Sequence, residues 1–291
     1  MLQQTRVAAV IPYYQRFLTQ FPDVKALAEA HEPDLLTCWS GLGYYSRARN
    51  LQKAAREMKG IFPTDYAAIR ELAGVGDYTA AAVASIAFGL PHAVLDGNVI
   101  RVLTRLSNIA GDVGSLATRR QLQSLADGLL DPKRPGLFNQ ALMELGATLC
   151  LPKQPKCLLC PVKEFCEARR QGTQNELPVK LRKASQVKLE RTLLVIRDSG
   201  RILMWQRAAD AKKLAGFWEL PEPHLIPSVQ IGGKVGGFRH AITNHNYVFV
   251  VNVAKVKQKP ENFHWVSPDA LDALPLSTTT RKALALFPSG S

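Results

Sequence analysis

Along the first 166 residues apolar positions recur at three- and four-residue steps and β-branched runs are short, the pattern of helices that each bury one face. It predicts helices over 5–20, 23–30, 33–39, 44–59, 65–72, 77–88, 97–109, 118–129 and 136–149. The breaks fall at Pro22, Pro33, Gly41-Leu-Gly43, Pro63 and Gly74-Val-Gly76, residues that stop helices or turn the chain. Residues 167–187 are polar and charged with one proline, so they read as a linker. Beyond Val187 the period changes. Thr192–Ile196, Arg201–Gln206 and Tyr247–Val253 are β-branched or alternating runs bounded by Gly, Asn and Asp, and they predict strands. Residues 268–286 read as helical again. The expected fold is an all-α domain over 1–166, the linker over 167–187, and a small α+β domain over 188–291.

A chain of 291 residues supplies enough apolar surface for two cores. Its formal charge of +13 changes the picture, because such an excess attracts a polyanion, most often the phosphate backbone of DNA or RNA. The bland alternative is a basic enzyme whose lysines only solvate it. No run of 18 apolar residues occurs, so no membrane partner is expected. The N-terminus has an early positive charge, a proline at Pro12 and no small-residue cleavage site, and no signal peptide is expected. A monomer in the bacterial cytoplasm, reaching the nucleoid through DNA, is the corresponding expectation.

Four of the five cysteines, Cys150, Cys157, Cys160 and Cys166, are spaced C-x6-C-x2-C-x5-C. Thiolates at this density hold zinc or an iron–sulfur cluster and need a reducing compartment. Zinc sites usually use two short Cys-x-x-Cys clips; one clip with distant outer partners suits a larger 4Fe–4S cube better, with zinc as the alternative. Cys38 reads as a small buried apolar residue. Leu72-Ala-Gly-Val-Gly-Asp-Tyr-Thr79 is a tight turn between two helical stretches. Gly74 and Gly76 would let backbone approach a phosphate, and the next helix would add its free N–H groups. The bland reading is a helix corner. Asp96, before Gly97-Asn98, reads by default as a helix cap, and functionally as a carboxylate held at a helix N-terminus.

In this order, the glycine hairpin, the Asp-containing turn and the cysteine quartet resemble the helix-hairpin-helix DNA glycosylases that carry an iron–sulfur cluster. Met-Leu-Gln-Gln-Thr at 1–5, Trp39-Ser-Gly-Leu-Gly-Tyr-Tyr-Ser-Arg-Ala-Arg-Asn50 and Phe138-Asn-Gln-Ala-Leu-Met-Glu-Leu-Gly-Ala147 resemble the adenine-specific, MutY-type family among them. The resemblance implies removal of adenine opposite 8-oxoguanine or guanine in duplex DNA, by hydrolysis of the N-glycosidic bond. It places a 4Fe–4S cluster on the four cysteines, the reacting carboxylate at Asp96 and a polar helper at Asn98. Gln140 matches the residue that reads the adenine edge. Leu2, Gln4 and Tyr44 match residues around the base opposite. Tyr78 stands where bifunctional relatives carry a lysine, and a phenol cannot form a Schiff base, so hydrolysis without strand cleavage is expected. The cluster is expected to order the basic loop between Cys150 and Cys157, with Lys153 and Lys156 facing phosphates.

The chain departs from the family pattern at its start. The family's proton donor is a Glu two residues before the Met of Met-Leu-Gln-Gln-Thr, and Met1 is that Met. The polypeptide as written is therefore expected to bind DNA but excise adenine poorly. A non-catalytic iron–sulfur DNA-binding protein and a glycosylase–lyase are the alternatives, the second opposed by Tyr78. Arg201–Arg207 and Leu214–Pro221 resemble the Nudix-like C-terminal domain of the family, without the glutamate cluster that would hold magnesium. Phe238–Asn246 aligns with its 8-oxoguanine-reading loop and puts Ile242, Thr243 and Asn244 at the contact motif.

Overall fold

The computed structural model describes the chain apart from Gln4, Arg6, residues 182–186, Lys212, Thr243, Asn244 and residues 288–291. Two compact units cut across the linear order: Met1–Gly60 with Ala184–Ser291, and Ile61–Lys183. The helical half therefore contributes to both. Among the described residues no helix is long and apolar enough to cross a membrane.

The first unit opens with α1 (Val7–Gln20), α2 (Val24–Glu29), α3 (Glu32–Trp39) and α4 (Ser46–Met58). α1 runs through Pro12, and α2 starts where the Asp23 carboxylate accepts the Ala26 N–H at 2.7 Å. Their apolar faces bury Phe17, Leu35, Leu36 and Trp39, and the same core takes in Phe217 from far along the chain. Tyr45 lies 4.2 Å from the Phe217 ring, and Ser40 Oγ donates to the Leu276 carbonyl at 2.6 Å. These four helices are thus completed by residues of the strand-rich half.

That half forms a mixed sheet of β1 (Val187–Asp198), β2 (Arg201–Gln206), β3 (Trp218–Glu219), β4 (Gln230–Ile242), β5 (His245–Lys255) and β6 (Phe263–Val266). The order is β3-β2-β1-β5-β4 with β6 on β2; β1 runs parallel to β5 and the other pairs are antiparallel. Alternation along β1 sends Leu193 and Val195 into one core and Leu194 and Ile196 into another, so the central strand is buried on both faces. The tail expected to be helical is a 3-10 segment, Pro268–Ala273, followed by α11 (Thr278–Ala285). β4 is not legible in the sequence, since Gly-Gly-Lys-Val-Gly-Gly reads as a loop. It nevertheless pairs with β5 through register shifts, and a Cβ at Gly237 would sit 2.7 Å from the Phe249 carbonyl.

The second unit holds α5 (Tyr66–Glu71), α6 (Asp77–Phe88), α7 (Gly97–Leu106), α8 (Leu116–Leu129), α9 (Pro135–Thr148) and α10 (Glu167–Gln171). α7 is its central element, with every residue from Val99 to Arg105 buried. α9 approaches its neighbours through two glycines. A Cβ at Gly136 would meet the Ser85 carbonyl at 2.7 Å, and one at Gly146 would meet Asn98 Cβ at 2.7 Å. The segment that reads as a linker contains α10, and the Val113 N–H donates to Val179 O at 3.0 Å, so its first part is fastened to this unit. Polar composition hid those bonds, because backbone pairing needs no apolar side chain.

Candidate active site and thiolate cradle

The glycine turn lies between α5 and α6 as a hairpin. Gly74 adopts φ +73°, a left-handed conformation that glycine takes without strain. Gly76 is the N-cap of α6, and a Cβ there would meet nothing within 4 Å, so its face is open. Arg70 Nε donates to Asp77 Oδ1 at 2.6 Å and ties the two arms together. The exposed first turn of α6 thus offers backbone N–H groups to an anion.

Two turns of chemistry meet behind it. Asp96 is the N-cap of α7: Oδ1 accepts the Val99 N–H at 2.7 Å, while Oδ2 accepts from Asn98 Nδ2 at 3.3 Å. The cap and the functional carboxylate are therefore the same group, with one oxygen spent on the helix. Tyr78, on the first turn of α6, directs its hydroxyl to Met143 Sδ at 3.8 Å, bridging α6 and α9. Burial first, and then the nearby Asp96 charge, push the Tyr78 phenol up, so it remains a neutral donor. Gln140 is exposed on α9, with Nε2 donating to Gly136 O at 3.1 Å and its carbonyl available to an incoming group. Its neighbour Asn139, which sequence reading passed over, is buried and bonds Ser85 Oγ, His92 O and Val94 N, fixing the entry to Asp96.

The four cysteines line one cavity of about 30 Å³, together with Arg105, Lys156, Lys163 and Arg169. Four thiols thus share one lining with four cationic side chains. Among the described residues no three His, Cys, Asp or Glu side chains are arranged to hold a single metal ion. Burial and the neighbouring thiols push Cys157 and Cys160 up; a bound cation reverses that balance and takes the thiolate. The four thiols are the residues that would hold a metal centre here. Lys153 and Lys156 are both exposed on the loop, and neither joins an ion pair among the described residues.

Two buried arginines that sequence reading missed hold the cradle, and one of them, Arg101, also links it to the carboxylate. Arg105 donates to Cys150 Sγ at 3.3 Å, Leu151 O at 2.7 Å and Leu177 O at 3.0 Å. Arg101 donates to Cys150 O at 2.7 Å, to Gly146 O at 2.8 Å and to Asn98 Oδ1 at 2.8 Å. A continuous chain of bonds thus runs from the Cys150 backbone through Arg101 and Asn98 to Asp96. The available signal was two arginines four apart on an otherwise apolar helix, which cannot be buried unless every donor is met.

In the first unit, Leu2 and Tyr44 are exposed. Gln4, Thr243 and Asn244 lie outside the described residues. Beside the last two, Ile242 is exposed, and His240 is half-buried, its pKa lowered by burial first and then by Lys282.

Residues 1–127 match the model for HhH-GPD superfamily base excision DNA repair proteins. Human adenine DNA glycosylase is 49% identical over 182 residues, which are 61% of this chain and 33% of that protein. Adenine DNA glycosylase of Arabidopsis thaliana is 38% identical over 256 residues, 76% of this chain and 41% of its own. The solved structure of a thermostable thymine-DNA glycosylase superposes with a TM-score of 0.51 at 28% identity, covering 58% of this chain and 80% of that one. This chain spans about a third of the length of the human relative. Residues 1–127 are thus similar to HhH-GPD superfamily base excision DNA repair proteins, and most of the chain is similar to part of the adenine DNA glycosylases.

Proposed function

We propose that this protein is a monofunctional adenine DNA glycosylase, acting on duplex DNA in which adenine lies opposite 8-oxoguanine or guanine. The observation that carries the reading is the Asp96 carboxylate, fixed by Val99 N–H and Asn98 beside a hairpin whose reactive position is Tyr78. Cleavage of a base–sugar bond passes through an oxocarbenium-like state, which a nearby carboxylate stabilises while water attacks. A stacked base is out of reach, so the adenine is first turned out of the duplex. Gln140 offers an amide to its edge, and the open face at Gly76 takes backbone phosphate. Tyr78 supplies no amine, so the sugar is not captured as a Schiff base and the strand is left intact. Cys150, Cys157, Cys160 and Cys166 would hold a 4Fe–4S cluster, which supplies a structural anchor for the basic loop carrying Lys153 and Lys156. Residues 238–246, with Ile242, Thr243 and Asn244 at the contact motif, are the segment through which the base opposite the adenine is read.

The decisive experiment separates the two jobs of Asp96. Asparagine caps a helix about as well as aspartate, so Asp96→Asn should melt close to wild type, whereas Asp96→Ala should lose about 1 kcal/mol. Single-turnover excision of adenine opposite 8-oxoguanine should fall by roughly 10²-fold or more in Asp96→Asn with duplex binding kept. Both forms are measured on this chain and on one extended upstream through a glutamate two residues before Met1. Binding without excision in either wild-type form would establish a non-catalytic DNA-binding protein instead.

A further inference from the structure

Gln174 lines two cavities at once. Beside the thiolate cradle lies an outer cleft of about 430 Å³, and the two share Pro155, Lys156, Cys157 and Gln174 in their walls. Lys156 is exposed, whereas Gln174 is half-buried in this partition. The backbone explains why it stays there. α10 ends at Gly172, φ +76°, and the chain turns back so that the Thr173 N–H donates to Ala168 O at 2.9 Å. Thr173 Oγ1 donates to Asn108 Oδ1 at 2.6 Å, and Asn108 Nδ2 donates to Gln171 Oε1 at 2.6 Å. Further along, Leu177 is buried and its carbonyl accepts from Arg105 Nε at 3.0 Å. Gln174 is thus fixed between two anchored residues. Its Oε1 is nevertheless buried with no hydrogen-bond partner among the described residues. A buried amide oxygen without a donor costs free energy, so this side chain is held ready for a group that can use it.

A half-turn about the last side-chain torsion exchanges the amide oxygen and nitrogen without changing the shape of the side chain. With nitrogen inward, an N–H stands where sulfur acceptors are and where the oxygen finds no donor. We propose that Gln174 donates an amide N–H to a sulfur of the 4Fe–4S cluster and closes the cradle toward the outer cleft. The inference rests on the cluster reading above and adds a contact that the four cysteines do not provide. Arg105 Nη1 already donates to Cys150 Sγ at 3.3 Å; Gln174 serves the side at Cys157, which lines both cavities. A donor to sulfur draws negative charge from the cluster and favours its reduced form, so losing the donor lowers the midpoint potential. Leucine in its place keeps the partition without the bond, and alanine removes both.

The test uses the full chain, reconstituted anaerobically with iron and sulfide, as wild type, Gln174→Leu and Gln174→Ala. Two quantities are read: the midpoint potential of the cluster in a mediator titration, and the rate at which an iron chelator bleaches its visible absorbance. In Gln174→Leu the ratio of oxidised to reduced cluster at a fixed potential should rise roughly tenfold, a lowering of about 59 mV for a one-electron couple. Its bleaching rate should stay at the wild-type value. In Gln174→Ala the midpoint should fall likewise, and bleaching should quicken roughly tenfold. A wild-type midpoint in Gln174→Leu overturns the proposal, because the amide then only fills space. So does wild-type bleaching in Gln174→Ala, because the cradle is then closed by something else. If Gln174→Leu holds no iron, Gln174→Met keeps the length of the side chain without an N–H: a lowered midpoint supports the bond and an unchanged one refutes it. Wild-type protein that stays colourless refutes the cluster reading itself, an outcome distinct from a brown wild type whose variants match it.

Discussion

Asp96 shows how little room separates structure from chemistry at a single residue. One carboxylate oxygen caps α7 and the other is held by Asn98, which is itself held by Arg101. Arg101→Gln would strip donors from Cys150 O, Gly146 O and Asn98 Oδ1 together. It should lower unfolding free energy by roughly 2–4 kcal/mol in urea titrations, because buried acceptors left without donors cost more than the bonds themselves. A loss under about 0.5 kcal/mol would mean that water already serves those groups. His240 offers a second residue-scale test. Burial and Lys282 hold it below the ordinary histidine value, so the unfolded chain binds more protons in the window just under pH 6.5. Its contribution is present above that pH and is lost as pH falls through the lowered value. The melting temperature should therefore drop more steeply between pH 7 and 5 in wild type than in His240→Gln.

At the scale of elements, most helices stand within two or three residues of their predicted ends, because their stops are proline, glycine and capping residues that act locally. Asp23, Asp65 and Ser115 each accept the N–H three residues on, at the starts of α2, α5 and α8. Helix contacts were not readable in the same way. Nothing local marks Gly146 as the point where α9 touches α7; only its close approach to Asn98 explains it. Gly146→Ala should cost about 1–3 kcal/mol by overpacking and displace Asn98 from Asp96, so excision should fall further than stability. Thermal melting alongside single-turnover rates would check this, and an unchanged rate would show that α9 gives way elsewhere. β4 was hidden for a related reason, since strand pairing with β5 outweighs the poor local propensity of its glycines.

For the whole molecule, the charge of +13 and the basic loop bear on DNA together. If Lys156 meets a phosphate, Lys156→Ala should reduce the slope of log affinity against log salt by about 0.9, and an unchanged slope would leave Lys156 merely solvated. The sequence alone determined the helix boundaries, the change to strands past Val187, the hairpin, and the four thiols with their spacing, since each is written in local pattern or in scarce residue types. Tertiary structure alone decided which segments share a core: Phe217 joins the first four helices, and residues 61–183 form a unit of their own. It also decided that Arg101 and Arg105 are interior, and that Arg47 gathers two distant segments. Local propensity extends over a few residues, whereas burial and the satisfaction of polar groups depend on neighbours that only folding brings within reach.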